Sequence, residues 1–450
     1  MARKKLTRRH EPAVAGAPAG DVPLQGEPIR GIHAAAIVLV GVAILNAGNY
    51  LFHILCARRL GPARYGDLAT LITISSLIAL PLGGAQVWVA RHVAIYRGSH
   101  DYEALHWFTR RVLVYLTGCA TVVTLLLISL TWPLQHIFGI ASTAAVGITA
   151  LTAFPAIVSP VTWGLAQGLE RFGLVATVYA VGPISRIGLT LVAFDAGLHV
   201  GGAMIATLVS MLVAFGLPLV VLRQWVKPAP AKSRRLSRSE AGRSLIPAMV
   251  GLLAITGLTS NDVLVAKLFL SDHATGIYGT ASLVGRVVFY LSAAVVTVLL
   301  PRVAARTASN RDTTDLLGQS LFVTASIAIA ATIFYAALGG YVIDLAFGNK
   351  YKSAVGLLWL FGVAMSEFAI LNILLIYHLG RGEVGIAWFL AGGAALQLVF
   401  FGFAHASGHT LVLVDIATAT ILIVAHELVF KWTLTRSVAS AARAWRLRAA

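Results

Sequence analysis

Residues 49–66 read NYLFHILCARRLGPARYG, and residues 261–279 read NDVLVAKLFLSDHATGIYG. The two stretches share one plan: an apolar helix with polar residues late in it, a short turn, then Tyr-Gly opening a second apolar helix that closes on Arg. Asn261 follows Asn49 by 212 residues, Tyr278 follows Tyr65 by 213 and Arg302 follows Arg91 by 211. Self-similarity at a fixed offset marks a repeated structural unit, here half the chain long. Repeated membrane bundles facing each other across a midplane are a common way to build a cavity open to alternate sides.

The composition places those units in a bilayer. The chain is 58% hydrophobic and only 12% charged, with a mean hydropathy of +0.82, which is membrane and not soluble composition. A span needs about 20 apolar residues, and twelve such stretches lie between residues 31 and 431. The first opens after 30 polar residues and is longer than a signal-peptide core, so it reads as a retained helix. Cys56 and Cys119 both fall in predicted spans and read as small packing residues, not as a disulfide framework.

The formal charge of +17 invites a nucleic-acid reading, but its distribution argues for topology instead. With twelve spans and an inner N-terminus, 27 of the 35 Lys and Arg fall on the inner side and 6 on the outer, while Arg186 and Arg286 lie within spans. That is the positive-inside pattern, and one missed helix would scramble it. No nucleic-acid partner is expected.

The organisation that follows is a basic tail (1–30), a first six-helix bundle (31–222), a basic linker (223–244), a second six-helix bundle (245–433) and a basic tail (434–450) with amphipathic spacing of Arg around Val438 and Trp445. The outer loops are too short for a folded domain, and no phosphate-binding loop, dinucleotide fingerprint or nucleophile constellation is present. A membrane enzyme is therefore not expected.

Several motifs carry a family likeness. Leu60-Gly61-Pro62-Ala63-Arg64-Tyr65-Gly66 resembles the Leu-Gly-Pro-x-x-Tyr-Gly turn after the first helix of Wzx-type polysaccharide flippases of the multidrug/oligosaccharidyl-lipid/polysaccharide (MOP) exporter superfamily. Asn261-Asp262-Val263-Leu264-Val265, Gly276-Ile277-Tyr278, Leu300-Pro301-Arg302 and Phe347-Gly348-Asn349-Lys350-Tyr351 are similar to later segments of that family. The resemblance covers about 31–433. It implies an all-α, MATE-like pair of six-helix lobes with a central cavity lined by the first, second, seventh and eighth helices. It also implies translocation of a lipid-linked oligosaccharide from inner to outer leaflet by alternating access, in a bacterial inner membrane. The implied surroundings are the lipid-linked glycan, membrane lipids and polysaccharide-assembly enzymes. No cofactor is expected beyond an H+ or Na+ coupling ion, and no metal: His405 and His409 make only a weak pair.

Charges within spans are the natural site candidates, since each costs about 2.5–3.5 kcal/mol on insertion scales. Arg286, on a helix the resemblance assigns to the cavity wall, suits a lipid pyrophosphate because guanidinium stays charged and binds phosphate bidentately. The alternative is an internal ion pair that only holds helices together. Arg186 carries the same two readings, with the structural one favoured by its position on the fifth helix. Asn46, Asn49, Tyr50 and His53 share a face by three-and-four spacing and suit sugar hydroxyls or interhelical bonds, and Gln86 is a candidate for the same surface. Arg58 and Arg59 stand at the predicted outer rim, where they are candidates to receive a departing phosphate. Asp262 and Glu367 are candidates for ion coupling, or are counter-ions. A direct Asp262–Lys267 pair remains open at five-residue spacing. The reading favoured by the sequence is the flippase; the alternative is a cation-coupled small-molecule antiporter of the same superfamily.

Overall fold

The structure is a computed structural model of the chain and describes residues 28–226, 238–430 and 433–437. Most of the two predicted tails and the centre of the predicted linker lie outside the described residues; of the linker, Arg223–Val226 forms a short 3-10 turn. The described chain has no strands. Nine helical stretches are long and apolar enough to cross a membrane, and a tenth is a bent pair.

The first of these, Ile37–Gly98, is two spans in one. A straight helix of that length would run ~93 Å, about three times a bilayer core. The chain folds back at Gly61, inside α1 (Pro28–Ala79), where φ is 74° and ψ is 171°. That backbone region is open essentially to glycine alone. Pro62 then opens the second arm with its φ already set for a helix and no amide hydrogen to satisfy. The reversal brings His53 Nδ1 within 3.1 Å of Tyr65 Oη, twelve residues on. The sequence predicts a loop of several residues here; the structure replaces it with one, because Ala57–Leu60 are good helix formers that carry the helix to the glycine.

After α2 (Gly83–Gly98), which continues the second span, come α3 (Tyr102–Ser129), α4 (Thr131–Phe138), α5 (Thr143–Gly168), α6 (Phe172–Asp195) and α7 (His199–Val221). The second lobe has α8 (Arg238–Leu258), α9 (Asn261–Phe269), α10 (Asp272–Ala308), α11 (Thr314–Ala346), α12 (Val355–Gly380), α13 (Gly385–Phe403) and α14 (Gly408–Val429). With α10 counted and α8–α9 taken as one broken span, the total is twelve. Side-chain caps define several starts: Asp101 for α3, Ser142 for α5, Ser271 for α10 and Ser407 for α14 each accept a backbone N–H three residues on. The short α4 lies in what the sequence reads as an outer loop.

The fourth and tenth spans, α5 and α12, are the most enclosed and play matching roles. α5 packs on α1, α2, α3 and α7, and α12 packs on α8, α10, α11 and α14. Both are apolar nearly all round, as a helix buried on every side must be. The molecule is thus an all-α, polytopic membrane protein of two pseudo-symmetric six-helix lobes.

The lobes close against each other on the side of Gly61. Tyr351 Oη donates to Ala57 O at 2.8 Å, and Arg58 donates to the carbonyls of Ala346, at 2.7 Å, and Leu345. Lys267 Nζ bridges Asp67 of the first lobe, at 2.5 Å, and Asp272 of its own. Backbones approach closely as well: a Cβ at Gly276 would lie 1.8 Å from Pro62 O. At the opposite end, hereafter the tail side, α2 packs on α8.

Candidate substrate and coupling site

The first half of the site belongs to the first lobe. Arg186 on α6 points inward, where its Nε donates to Thr207 Oγ1 of α7 at 3.0 Å and its Nη1 to Asn49 Oδ1 of α1 at 3.4 Å. The guanidinium stands 3.5 Å over the ring of Phe52, a cation–π contact that is worth ~2 kcal/mol when desolvated. Its Nη2 is buried with no hydrogen-bond partner. Among the described residues, no carboxylate bonds it. Tyr50 Oη nearby on α1 is likewise buried without a partner. The predicted polar face of the first helix divides: Asn49 joins Arg186, His53 joins Tyr65, and Asn46 is exposed.

The second half is carboxylate-rich. The seventh span breaks by 42° between α8 and α9, and Asn261-Asp262 open the new helix. The fully buried Asp262 accepts from Tyr278 Oη at 2.9 Å and Ser282 Oγ at 3.3 Å, and pairs with Arg286 Nη2 at 3.4 Å. The break frees Leu258 O, which accepts from Gln397 Nε2 at 2.8 Å; non-helical backbone at membrane depth persists only when so satisfied. Gln397 also donates to Asp415 Oδ1 at 2.9 Å and accepts from Asn261 Nδ2 at 3.4 Å. Asp415 Oδ2 and Arg286 Nε are buried without partners. Two buried carboxylates therefore share a neighbourhood with one arginine, whose charge acts on both and reaches Tyr50 and His53 across the lobe boundary.

Of the sequence candidates, the structure brings together Arg286 and Asp262 in the second lobe, and Arg186 and Asn49 in the first. Lys267 does not pair with Asp262; the helix azimuth turns it to Asp67 and Asp272 instead. Glu367 stands apart, accepting from Thr420 Oγ1 of α14 at 2.9 Å with its second oxygen buried and unpartnered. Gln86 is half-buried where α2 meets α5, and no bond among the described residues joins it to the α1 face. Arg58 is spent on the end of α11, and the exposed Arg59 pairs with Asp195 at 3.5 Å. His405 Nδ1 donates to Phe401 O at 2.9 Å and its ring stacks on Phe269 at 3.8 Å. Sequence reasoning missed Asp67 and Gln397. Asp67 was within reach, being a carboxylate directly after Tyr65-Gly66 at the mouth of a span.

No protein-family model and no curated protein matches the chain. Solved structures do. The chain superposes on the inward-facing conformation of a multidrug resistance MATE family transporter of the MOP superfamily with a TM-score of 0.68 and 16% identity, covering 89% of this chain and 98% of that one. For the eukaryotic MATE transporter AtDTX14 the TM-score is 0.64 at 14% identity, over 92% and 99% of the two chains. For the outward-facing conformation of a MATE family transporter it is 0.59 at 14% identity, over 92% and 97%. Likeness at such identities speaks for the fold: the chain has the MATE-like architecture of MOP-superfamily transporters.

Proposed function

We propose that the chain is an alternating-access exporter whose substrate carries an anionic group, and that this substrate is a lipid-linked oligosaccharide, moved on its prenyl-pyrophosphate carrier from inner to outer leaflet of a bacterial inner membrane. The tail side would face the cytoplasm, in keeping with the basic residues of the tails and linker. The observation that carries the reading is Arg186. A guanidinium buried in the first lobe, with no carboxylate bonded to it among the described residues and its Nη2 without a partner there, is a cation waiting for an anion, and phosphate matches its fork of donors. Arg286 supplies a second positive charge near the lobe boundary, and Asn49, Tyr50 and His53 lie between the two.

A second reading rests on different observations. Solved structures with this fold are multidrug transporters by their titles, and the Asp262–Asp415 pair with a single arginine has the chemistry to seat H+ or Na+. On that reading the chain is a cation-coupled small-molecule antiporter.

One assay separates them. Purified protein in proteoliposomes is tested for leaflet exchange of a short prenyl-pyrophosphate oligosaccharide and, in parallel, for efflux of a cationic dye. Lipid exchange without dye movement, lost in Arg186→Met, supports the first reading. Dye movement alone, dependent on Asp262 or Asp415, would replace it with the second.

A further inference from the structure

A second titratable cluster lies far from the midplane, at the tail end of α12 and α14. Four side chains form a line. Glu383 Oε2 is 2.5 Å from His378 Nδ1, His378 Nε2 is 2.9 Å from His426 Nε2, and His426 Nδ1 is 3.5 Å from Glu427 Oε1. Both imidazoles are buried, and Phe430 lies against them at 4.5 and 4.9 Å. Glu427 cannot turn away. Its oxygens accept from Leu434 N–H at 2.8 Å, Thr435 N–H at 3.0 Å and Thr435 Oγ1 at 2.6 Å.

Proton counting fixes the tautomers. An ionised carboxylate only accepts, so His378 Nδ1 carries the hydrogen donated to Glu383. The Nε2 of a neutral His378 is then an acceptor, and His426 must donate to it from Nε2. That leaves Nδ1 of a neutral His426 as a bare lone pair turned toward a fixed carboxylate. It is indeed one of the buried atoms without a hydrogen-bond partner. One further proton fits at one atom, His426 Nδ1, where it completes a chain in which every bond has one donor and one acceptor. A second would set N–H against N–H between the rings.

Charged groups flank both ends of the line. Glu383 pairs with Arg381 at 2.9 Å, and Arg381 also donates to Tyr377 Oη, which bonds Thr313. Asp312, beyond Thr313, feels the Arg381 charge. From α13 the apolar Phe389 faces the rings of His426 and Phe430. The line thus ends on a carboxylate at each side, and a proton on His426 Nδ1 would face the fixed Glu427 carboxylate in a poorly solvated place.

We propose that Glu383, His378, His426 and Glu427 form a proton-binding site, separate from the midplane carboxylates, that takes up a single proton on His426 Nδ1. The partly exposed Glu383 gives the line access to water at the tail side.

The test uses full-length protein with 15N-labelled histidine in lipid nanodiscs, followed by NMR from about pH 8 to about pH 5. His378→Gln and His426→Gln identify the signals. At high pH, His378 should be Nδ1-protonated and His426 Nε2-protonated, with coupling between the two Nε2 atoms; no other histidine pair among the described residues has that contact. On acidification His426 alone should become doubly protonated, and Glu427→Gln should move that step at least about one pH unit lower. Should a glutamine variant of either histidine fail to fold, the wild-type coupling still identifies the pair. Two rings that stay neutral throughout, the opposite tautomers, or two independent titrations would each overturn the proposal.

Discussion

Arg186 and Arg286 are alike in sequence and unlike in structure, and the difference is measurable. Breaking a buried ion pair from one side leaves the other charge stranded, at about 3–5 kcal/mol. Arg286→Ala should therefore destabilise the protein by about that much through Asp262, and adding Asp262→Asn should recover most of the loss, as read from thermal unfolding in detergent. Arg186 has no carboxylate partner among the described residues, so Arg186→Met removes a buried cation held only by neutral groups. Its melting temperature should hold or rise while transport of an anionic lipid is lost; a variant that instead unfolds would make Arg186 a structural residue. That both arginines call for a partner or a ligand was legible in the sequence, because a charge in an apolar span demands a reason. Asp262 was legible as a possible counter-ion; the bridge between the lobes was not. Asp67 and Lys267 stand 200 residues apart, and no local spacing records a contact made only when two lobes meet.

Among the elements, the reversal at Gly61 is the sharpest constraint. Alanine there would have to adopt φ near 74°, a backbone cost of about 1–3 kcal/mol. Gly61→Ala should lower stability by roughly that amount, with thermal unfolding as the check. Sequence reading located this turn correctly by its glycine and proline but made it too long, since helix propensity on both sides extends the flanking helices. The break in the seventh span was harder to see. It falls at Thr259-Ser260 with neither proline nor glycine at the break, and is sustained by Gln397 from the eleventh span, four spans further along the chain. A break stabilised by tertiary bonding leaves little trace in the local sequence.

For the whole molecule, the repeat announced by Asn49 and Asn261 and by the two Tyr-Gly pairs at matching offsets is what makes two lobes readable from the order of residues alone. The same Tyr-Gly segments form the seam. The Lys267–Asp67 bridge crosses it in a buried place, so the isosteric pair Asp67→Asn with Lys267→Met should loosen closure. Spin labels on either side of the seam should then show a longer-distance population absent from the unmodified protein; an unchanged distribution would mean that packing alone holds the lobes. Most of the other bonds over that seam end on main-chain oxygen: Tyr351 on Ala57, and Arg58 on Leu345 and Ala346. A carbonyl is present whatever side chain stands beside it. Substitutions at the exposed Leu345 leave its carbonyl in place, whereas the fully buried Ala57 leaves no room for a larger side chain, and the strength of each bond is set by its donor. Each face of the seam thus holds both a main-chain acceptor that any residue supplies and a side-chain donor that substitution can tune.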